Sequence, residues 1–159
     1  MKITVVGVGS IKESYFKDAI AEYSKRLSKY CSVEIIEVKD EMIKENSSAK
    51  DDEIVKKIEG ERIIKALPKN SCNVLLDLRG KKLDSVGFSK MIDDIMKYEN
   101  SNITFIIGGS IGVSKEVYDL ADYKLCFSDM TFPHKLMRVI LLEQVYRAFK
   151  ILKNETYHK

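Results

Sequence analysis

Apolar and polar positions fall into blocks along the chain, and the period of each block assigns its element. Ile3 to Val8 is a β-branched run that reads as a strand ending in Gly7-Val8-Gly9. Lys12 to Tyr30 follows with helical spacing, placing Phe16, Ile20, Tyr23 and Leu27 on one stripe. Val33 to Val38 is a second strand, and the polar stretch 39–50, with Asn46-Ser47-Ser48, reads as a loop. Lys50 to Leu67 predicts a charged amphipathic helix with Ile54, Ile58, Ile63 and Ile64 inward, stopped by Pro68. Asn73 to Leu78 is an apolar strand interrupted only by Asp77; Arg79-Gly80-Lys81 reads as a turn and Gly87 to Tyr98 as a helix. Ile103 to Ile107 is a buried strand ending in Gly108-Gly109-Ser110-Ile111-Gly112, followed by a short helix over 114–121 and a last strand over 124–127. Pro133 marks the start of a final helix that runs to about Lys153.

Five strand–helix repeats predict an α/β fold: a mostly parallel sheet with helices on both faces. No linker rich in Pro, Gly or Ser and no internal repeat divides the 159 residues, so one domain over 1–159 is expected. Cys31, Cys72 and Cys126 are odd in number and widely spaced, which argues against a disulfide framework or a zinc cage; each reads as a small hydrophobe. The first apolar run ends at Ser10, too early for a signal peptide, and no stretch approaches the ~20 residues that span a bilayer. A cytoplasmic protein is the expectation.

Parallel sheets bind ligands at the carboxyl ends of their strands, so the loops there carry the candidate chemistry. Gly7-Val8-Gly9-Ser10-Ile11-Lys12 resembles a dinucleotide fingerprint, but Lys12 replaces the third glycine and Glu37 comes too late to hold a ribose. It reads as a tight turn, and a dehydrogenase is disfavoured. Gly108-Gly109-Ser110-Ile111-Gly112 places three glycines after a buried strand, suiting ligand contact through bare backbone. Phe127-Ser128-Asp129-Met130-Thr131-Phe132-Pro133-His134 combines two aromatic rings, a methionine and small polar groups; the two rings suit a flat ligand such as a purine. His134, in the first turn of the last helix, is expected to be kept neutral by the helix dipole. From these loops alone, a non-enzymatic nucleotide-binding module stands beside an enzyme.

The last helix carries a stripe of Met137, Leu141, Val145, Ala148 and Leu152, with Val139, Ile140, Tyr146 and Ile151 off it. Apolar residues on more than one side fit either a central helix of the domain or a helix shared with a partner subunit. The net charge is +3, and it is unevenly distributed: from His134 onward six basic residues face two acids. The segment ends in Tyr157-His158-Lys159, side chains suited to stacking on a base and bonding its edge.

Ile106-Ile107-Gly108-Gly109-Ser110-x-Gly112, Phe127-Ser128-x-Met130-Thr131-Phe132-Pro133-His134, Glu143-Gln144-Val145-Tyr146-Arg147-Ala148 and the closing Tyr157-His158-Lys159 together resemble one family. It is the large-subunit ribosomal RNA pseudouridine N3-methyltransferases, subfamily H, of the SPOUT class, and the resemblance covers essentially the whole chain. It implies a trefoil knot near the C-terminus and S-adenosylmethionine bound in a bent shape by the knot loops. By carry-over Leu76, Gly108, Phe127, Ser128, Asp129, Met130, Thr131 and Phe132 hold that donor. The resemblance further implies a homodimer joined through the C-terminal helices, no metal, and a pseudouridine target in helix 69 of 23S ribosomal RNA within the assembled ribosome. The in-line reaction places the sulfonium methyl on N3, and cations there favour the base anion. Arg147, Tyr157, His158 and Lys159 are the candidate catalytic residues: Arg147 for a phosphate or base carbonyl, Tyr157 for stacking, His158 as proton relay.

Overall fold

The computed structural model describes residues 1–159. Its elements alternate as β1 (Lys2–Val8), α1 (Ser14–Leu27), β2 (Ser32–Val38), α2 (Ala49–Ala66), β3 (Cys72–Lys82), α3 (Ser85–Tyr98), β4 (Asn102–Ile107), α4 (Lys115–Leu120), β5 (Tyr123–Cys126) and α5 (His134–Leu152). All five strands join one parallel sheet in the order β2-β1-β4-β3-β5. The strand alternation sorts the core into two layers. Ile3, Val5, Val74, Ile103, Phe105 and Ile107 pack with α1, α3 and α5 on one face. Val6, Val8, Leu75 and Ile106 pack with Ile63 of α2 and Val117 of α4 on the other. Each fully buried large apolar side chain contributes about 1.5–3 kcal/mol. Cys31, Cys72 and Cys126 are free thiols buried in this packing. No helix is long and apolar enough to cross a membrane.

Two local expectations change. Arg79-Gly80-Lys81 is not a turn but the end of β3. Leu125 of β5 is partnered by Leu76 and again by Lys81, so residues 77–80 leave the ladder and rejoin it. A Cβ on residue 80 would lie 2.5 Å from the Leu125 amide nitrogen, so only glycine permits this approach of β3 to β5. On α2 the buried positions are Val55, Glu59, Gly60 and Ile63, whereas Ile54 and Ile64 are exposed. A carboxylate and a glycine occupy the inward face, which displaced the apparent apolar stripe by about one residue. The helix starts at a capping box in which the Ser48 hydroxyl accepts from the Asp51 amide and the Asp51 carboxylate accepts from the Ser48 amide.

On α5 the inner residues Leu141, Leu142, Val145, Ala148 and Phe149 are buried against the sheet, with α1 and α3 on either flank. It is the central helix of its layer. Leu136, Val139 and Ile140 remain only half-buried.

Candidate active site

The loops after β3, β4 and β5 converge at one end of the sheet around a cleft of about 210 Å³. Leu76 and Leu125 give it apolar walls; Gly108, Gly109 and Gly112 give it a backbone floor; Phe127, Ser128, Met130, Thr131 and Phe132 form the opposite rim. His134 and Met137, on the first turn of α5, close one side. The glycines are required by this geometry. Gly112 has φ +91° and donates its amide to the Gly109 carbonyl at 3.1 Å, a tight turn that an L side chain would strain. A Cβ on Gly108 would come within 2.6 Å of the Val113 side chain. The Phe127 ring is braced edge-on by Phe88 at 5.7 Å, while Met130 and Phe132 are exposed at the mouth.

Seven of the eight expected donor-binding residues thus line one cleft. The exception is Asp129, which is exposed, absent from the lining and paired with Lys82. Its flanking residues face the cleft while its own side chain reaches toward the end of β3. Asp77, unassigned from sequence, sits at the lip, where the Arg79 guanidinium holds its carboxyl below the usual range.

Burial, with Arg138 and Lys135 adding repulsion, pushes the His134 imidazole down toward the neutral form. Desolvation is the leading cause. Arg138 itself is fully buried. Its guanidinium donates to the Val8 and Gly9 carbonyls at 2.8 and 2.7 Å and pairs with Glu37 at 3.0 Å. A Cβ on Gly7 would meet that guanidinium at 2.7 Å. The close approach that Gly7 permits is therefore to an internal arginine, and no room is left for a dinucleotide pyrophosphate.

The expected catalytic side chains form a second cluster. Arg147 pairs with Glu143 at 2.6 Å, lies 4.7 Å over the Tyr157 ring and is 3.2 Å from His158 Nδ1. The Tyr157 hydroxyl donates to Glu143 at 3.1 Å, and its ring meets Tyr146 edge-on at 5.0 Å. Glu143 thus organises the cluster, a role not assigned to it from sequence. Lys159 is exposed. Glu155 ties the tail back to the body, accepting from Lys150, Tyr30 and Lys29 at 2.7, 2.7 and 2.8 Å. Arg147 lies thirteen residues along α5 from His134, roughly 20 Å at ~1.5 Å per residue, so within one chain the tail and the cleft stand apart.

The basic excess of the C-terminal segment is largely consumed inside the fold. Lys135 pairs with Glu13, Arg138 with Glu37, Arg147 with Glu143 and Lys150 with Glu155. Only Lys153 and Lys159 among the six carry no ion pair, and both are exposed.

The Glu155 latch has a pH consequence. Its three donors hold the carboxyl down from 4.5 to about 2. A depressed carboxyl stabilises the docked state above its unfolded pKa, and that contribution is lost as pH falls through the folded value. Protection factors for amide exchange at residues 155–158, taken against the intrinsic rate at each pH, are expected to be high at neutral pH and to fall between pH 4.5 and about 2. Glu155→Gln should show the low protection already at neutral pH.

The family model described as "Predicted SPOUT methyltransferase" matches residues 1–158. A Clostridium perfringens protein named ribosomal RNA large subunit methyltransferase H is 56% identical over 159 residues, all of both chains. One of the same name from Ruminiclostridium cellulolyticum is 54% identical, again over the full length of both. Among solved structures, a probable methylase family protein from Haemophilus influenzae superposes with a TM-score of 0.53 at 13% identity. That superposition covers 96% of this chain and 66% of the other, and it speaks for the fold.

Proposed function

Since the chain belongs to the SPOUT methyltransferase family, we propose that its glycine-loop cleft holds S-adenosylmethionine and that it methylates N3 of a pseudouridine in helix 69 of 23S ribosomal RNA. The chain is a ribosomal RNA large subunit methyltransferase. The assignment of the donor rests chiefly on the convergence of Leu76, Gly108, Phe127, Ser128, Met130, Thr131 and Phe132 on one cleft with a bare-backbone floor, and that of the target atom on the family resemblance. The residues suit the donor: apolar walls and two aromatic rings for an adenine, and glycines that let the backbone approach closely. When bound, the donor supplies a methyl group activated by a positively charged sulfur. Leu76, Gly108 and the 127–132 loop bind and orient it, and Phe132 at the mouth excludes water. Asp129 contributes through its backbone or through its pairing with Lys82.

The target imide must lose its N3 proton, and we assign that step to the Arg147–Tyr157–His158 cluster. Arg147 favours the anionic base or grips a phosphate, Tyr157 stacks, His158 accepts the proton, and Lys159 adds positive charge. This cluster stands roughly 20 Å from the cleft of its own chain. We therefore read the active enzyme as a homodimer in which the tail of one protomer serves the cleft of the other. The half-buried Leu136, Val139 and Ile140 on α5 offer the apolar contact for it. The family resemblance further implies that these loops are knotted. The chain works as one domain, in the cytoplasm where ribosomes are.

A net charge of +3, with most C-terminal cations paired inward, neutralises few phosphates. That favours the assembled ribosome over free RNA as substrate. Titration calorimetry tests the donor directly. S-adenosylmethionine is expected to bind with one site per chain, and NAD and ATP to give no heat. Binding of NAD or ATP alone would overturn the reading.

A further inference from the structure

A second cleft of about 290 Å³ adjoins the first, sharing Gly109, Ser110 and His134 with it. Its remaining walls come from the loop after β2, with Asp40 and Glu41, and from Glu59 of α2. Glu59 is an anomaly on physical grounds. It is only 4% exposed, on the inward face of a helix whose other buried positions are Val55, Gly60 and Ile63. Its Oε2 accepts one bond, from the Glu41 amide at 3.0 Å, and its Oε1 has no partner at all. A buried carboxylate oxygen without a donor is costly, and such groups persist where something else satisfies them. Arg62, the nearest cation of α2, is engaged elsewhere, with the Glu41 carboxylate at 2.7 Å and the Lys39 carbonyl at 3.0 Å.

The unpartnered Oε1 lies directly under the glycine loop. A Cβ on Gly109 would come within 2.7 Å of it. The glycine at this position therefore keeps a buried anion in reach of whatever crosses the loop. Burial pushes the Glu59 carboxyl up, the direction expected for an acid lacking its cation.

Size points the same way. The first cleft alone lies below the ~300–1,000 Å³ typical of small-molecule sites, and the neighbouring cleft brings the pair into that range. A ligand whose nucleoside fills the first cleft has room for a tail over Gly109 and Ser110 into the second. That tail meets an acidic wall with one free acceptor.

We infer that Glu59 is the anchor for the α-ammonium group of the methyl donor's amino-acid tail, with the tail laid across Gly109 into the second cleft. The inference rests on the assignment of the first cleft to S-adenosylmethionine. One N–H of the ammonium satisfies Glu59 Oε1, and the exposed Asp40 adds attraction at longer range. The anchor fixes the tail, and through it the direction in which the sulfur presents its methyl group. Glu59 is a binding residue, distinct from the proton-handling tail cluster.

The test is calorimetry of wild type and Glu59→Gln with three probes: S-adenosylmethionine, S-adenosylhomocysteine and 5′-methylthioadenosine, which lacks the amino-acid tail. Loss of a charge-assisted bond to a buried carboxylate is expected to weaken the first two by roughly 10–100-fold. Methylthioadenosine should bind both proteins equally, which also shows that the first cleft is intact in the variant. Equal weakening of all three probes, or no change in any, would overturn the assignment of Glu59. Failure of wild type to bind any of the three would instead overturn the assignment of the first cleft.

Discussion

Replacing Arg138 with methionine is expected to cost about 2–5 kcal/mol of folding stability: the Val8 and Gly9 carbonyls lose a buried charged donor at roughly 1–3 kcal/mol each, while Glu37, 38% exposed on its side chain, is rehydrated. The guanidinium is completely buried and its bonds reach three elements: α5 through its own backbone, β1 through the Val8 and Gly9 carbonyls, and β2 through Glu37. Glu37 also accepts from the Ile11 amide at 2.6 Å, so one network holds the whole Gly7–Ile11 turn. Without Arg138 two carbonyls lose their donors, and methionine fills the volume without replacing one bond. For a domain of this size the melting temperature should drop by on the order of 10 °C. Arg138→Lys keeps the charge but lacks the planar fork and should recover only part of the loss. Denaturant unfolding of the three proteins measures it. A loss below ~1 kcal/mol for methionine would mean that the network contributes no more than an ordinary surface pair.

Deletion of residues 157–159 is expected to lower kcat/KM for methyl transfer by about 10³-fold, within the ~10²–10⁴ range of general acid–base groups. Donor affinity should change little, since within one chain no tail residue lines the cleft and the partner's tail is assigned to the target base. The melting temperature should move little, because the latch at Glu155 remains. A mixing experiment then asks whose cleft the tail serves. A Gly108→Val protein, with its cleft blocked, is exchanged with the tail-deleted protein. If the tail acts on the partner's cleft, each mixed dimer carries one complete site, and random exchange should restore about a quarter of wild-type activity. A tail that served its own cleft would leave the mixture inactive. Full activity of the deletion variant alone would remove the tail from the mechanism.

The sequence carried the alternation of strands and helices because each strand is short, apolar and bounded by turn residues. Gly108–Gly112 and 127–132 were legible as ligand loops since both directly follow apolar runs. What sequence could not show follows from tertiary compensation. Glu59 reads as a solvated charge, although its i±4 neighbours Val55 and Ile63 mark a buried face, and that spacing was the available signal. Arg138 reads only as one of six C-terminal cations, and it is Glu37 and the Val8 and Gly9 carbonyls that enclose it. The C-terminal positive charge suggested an RNA-facing surface, and the fold spends most of it on internal pairs. The Arg79–Lys81 segment looked like a turn because Gly80 is there to let two strands touch. The helix layers, strand order and close β3–β5 contact needed coordinates, since hydrophobic periodicity has no information on which strands are neighbours.

In the proposed reaction this chain carries a methyl group from S-adenosylmethionine to one base of the large ribosomal subunit. The most direct measurement incubates the wild-type protein with methyl-labelled S-adenosylmethionine and ribosomes lacking the modification, then maps the labelled nucleotide. The expected result is one labelled pseudouridine in helix 69 with the label on N3, and little label on free helix 69 RNA. Label at another nucleotide, or none on ribosomes under conditions where the donor binds, would contradict it.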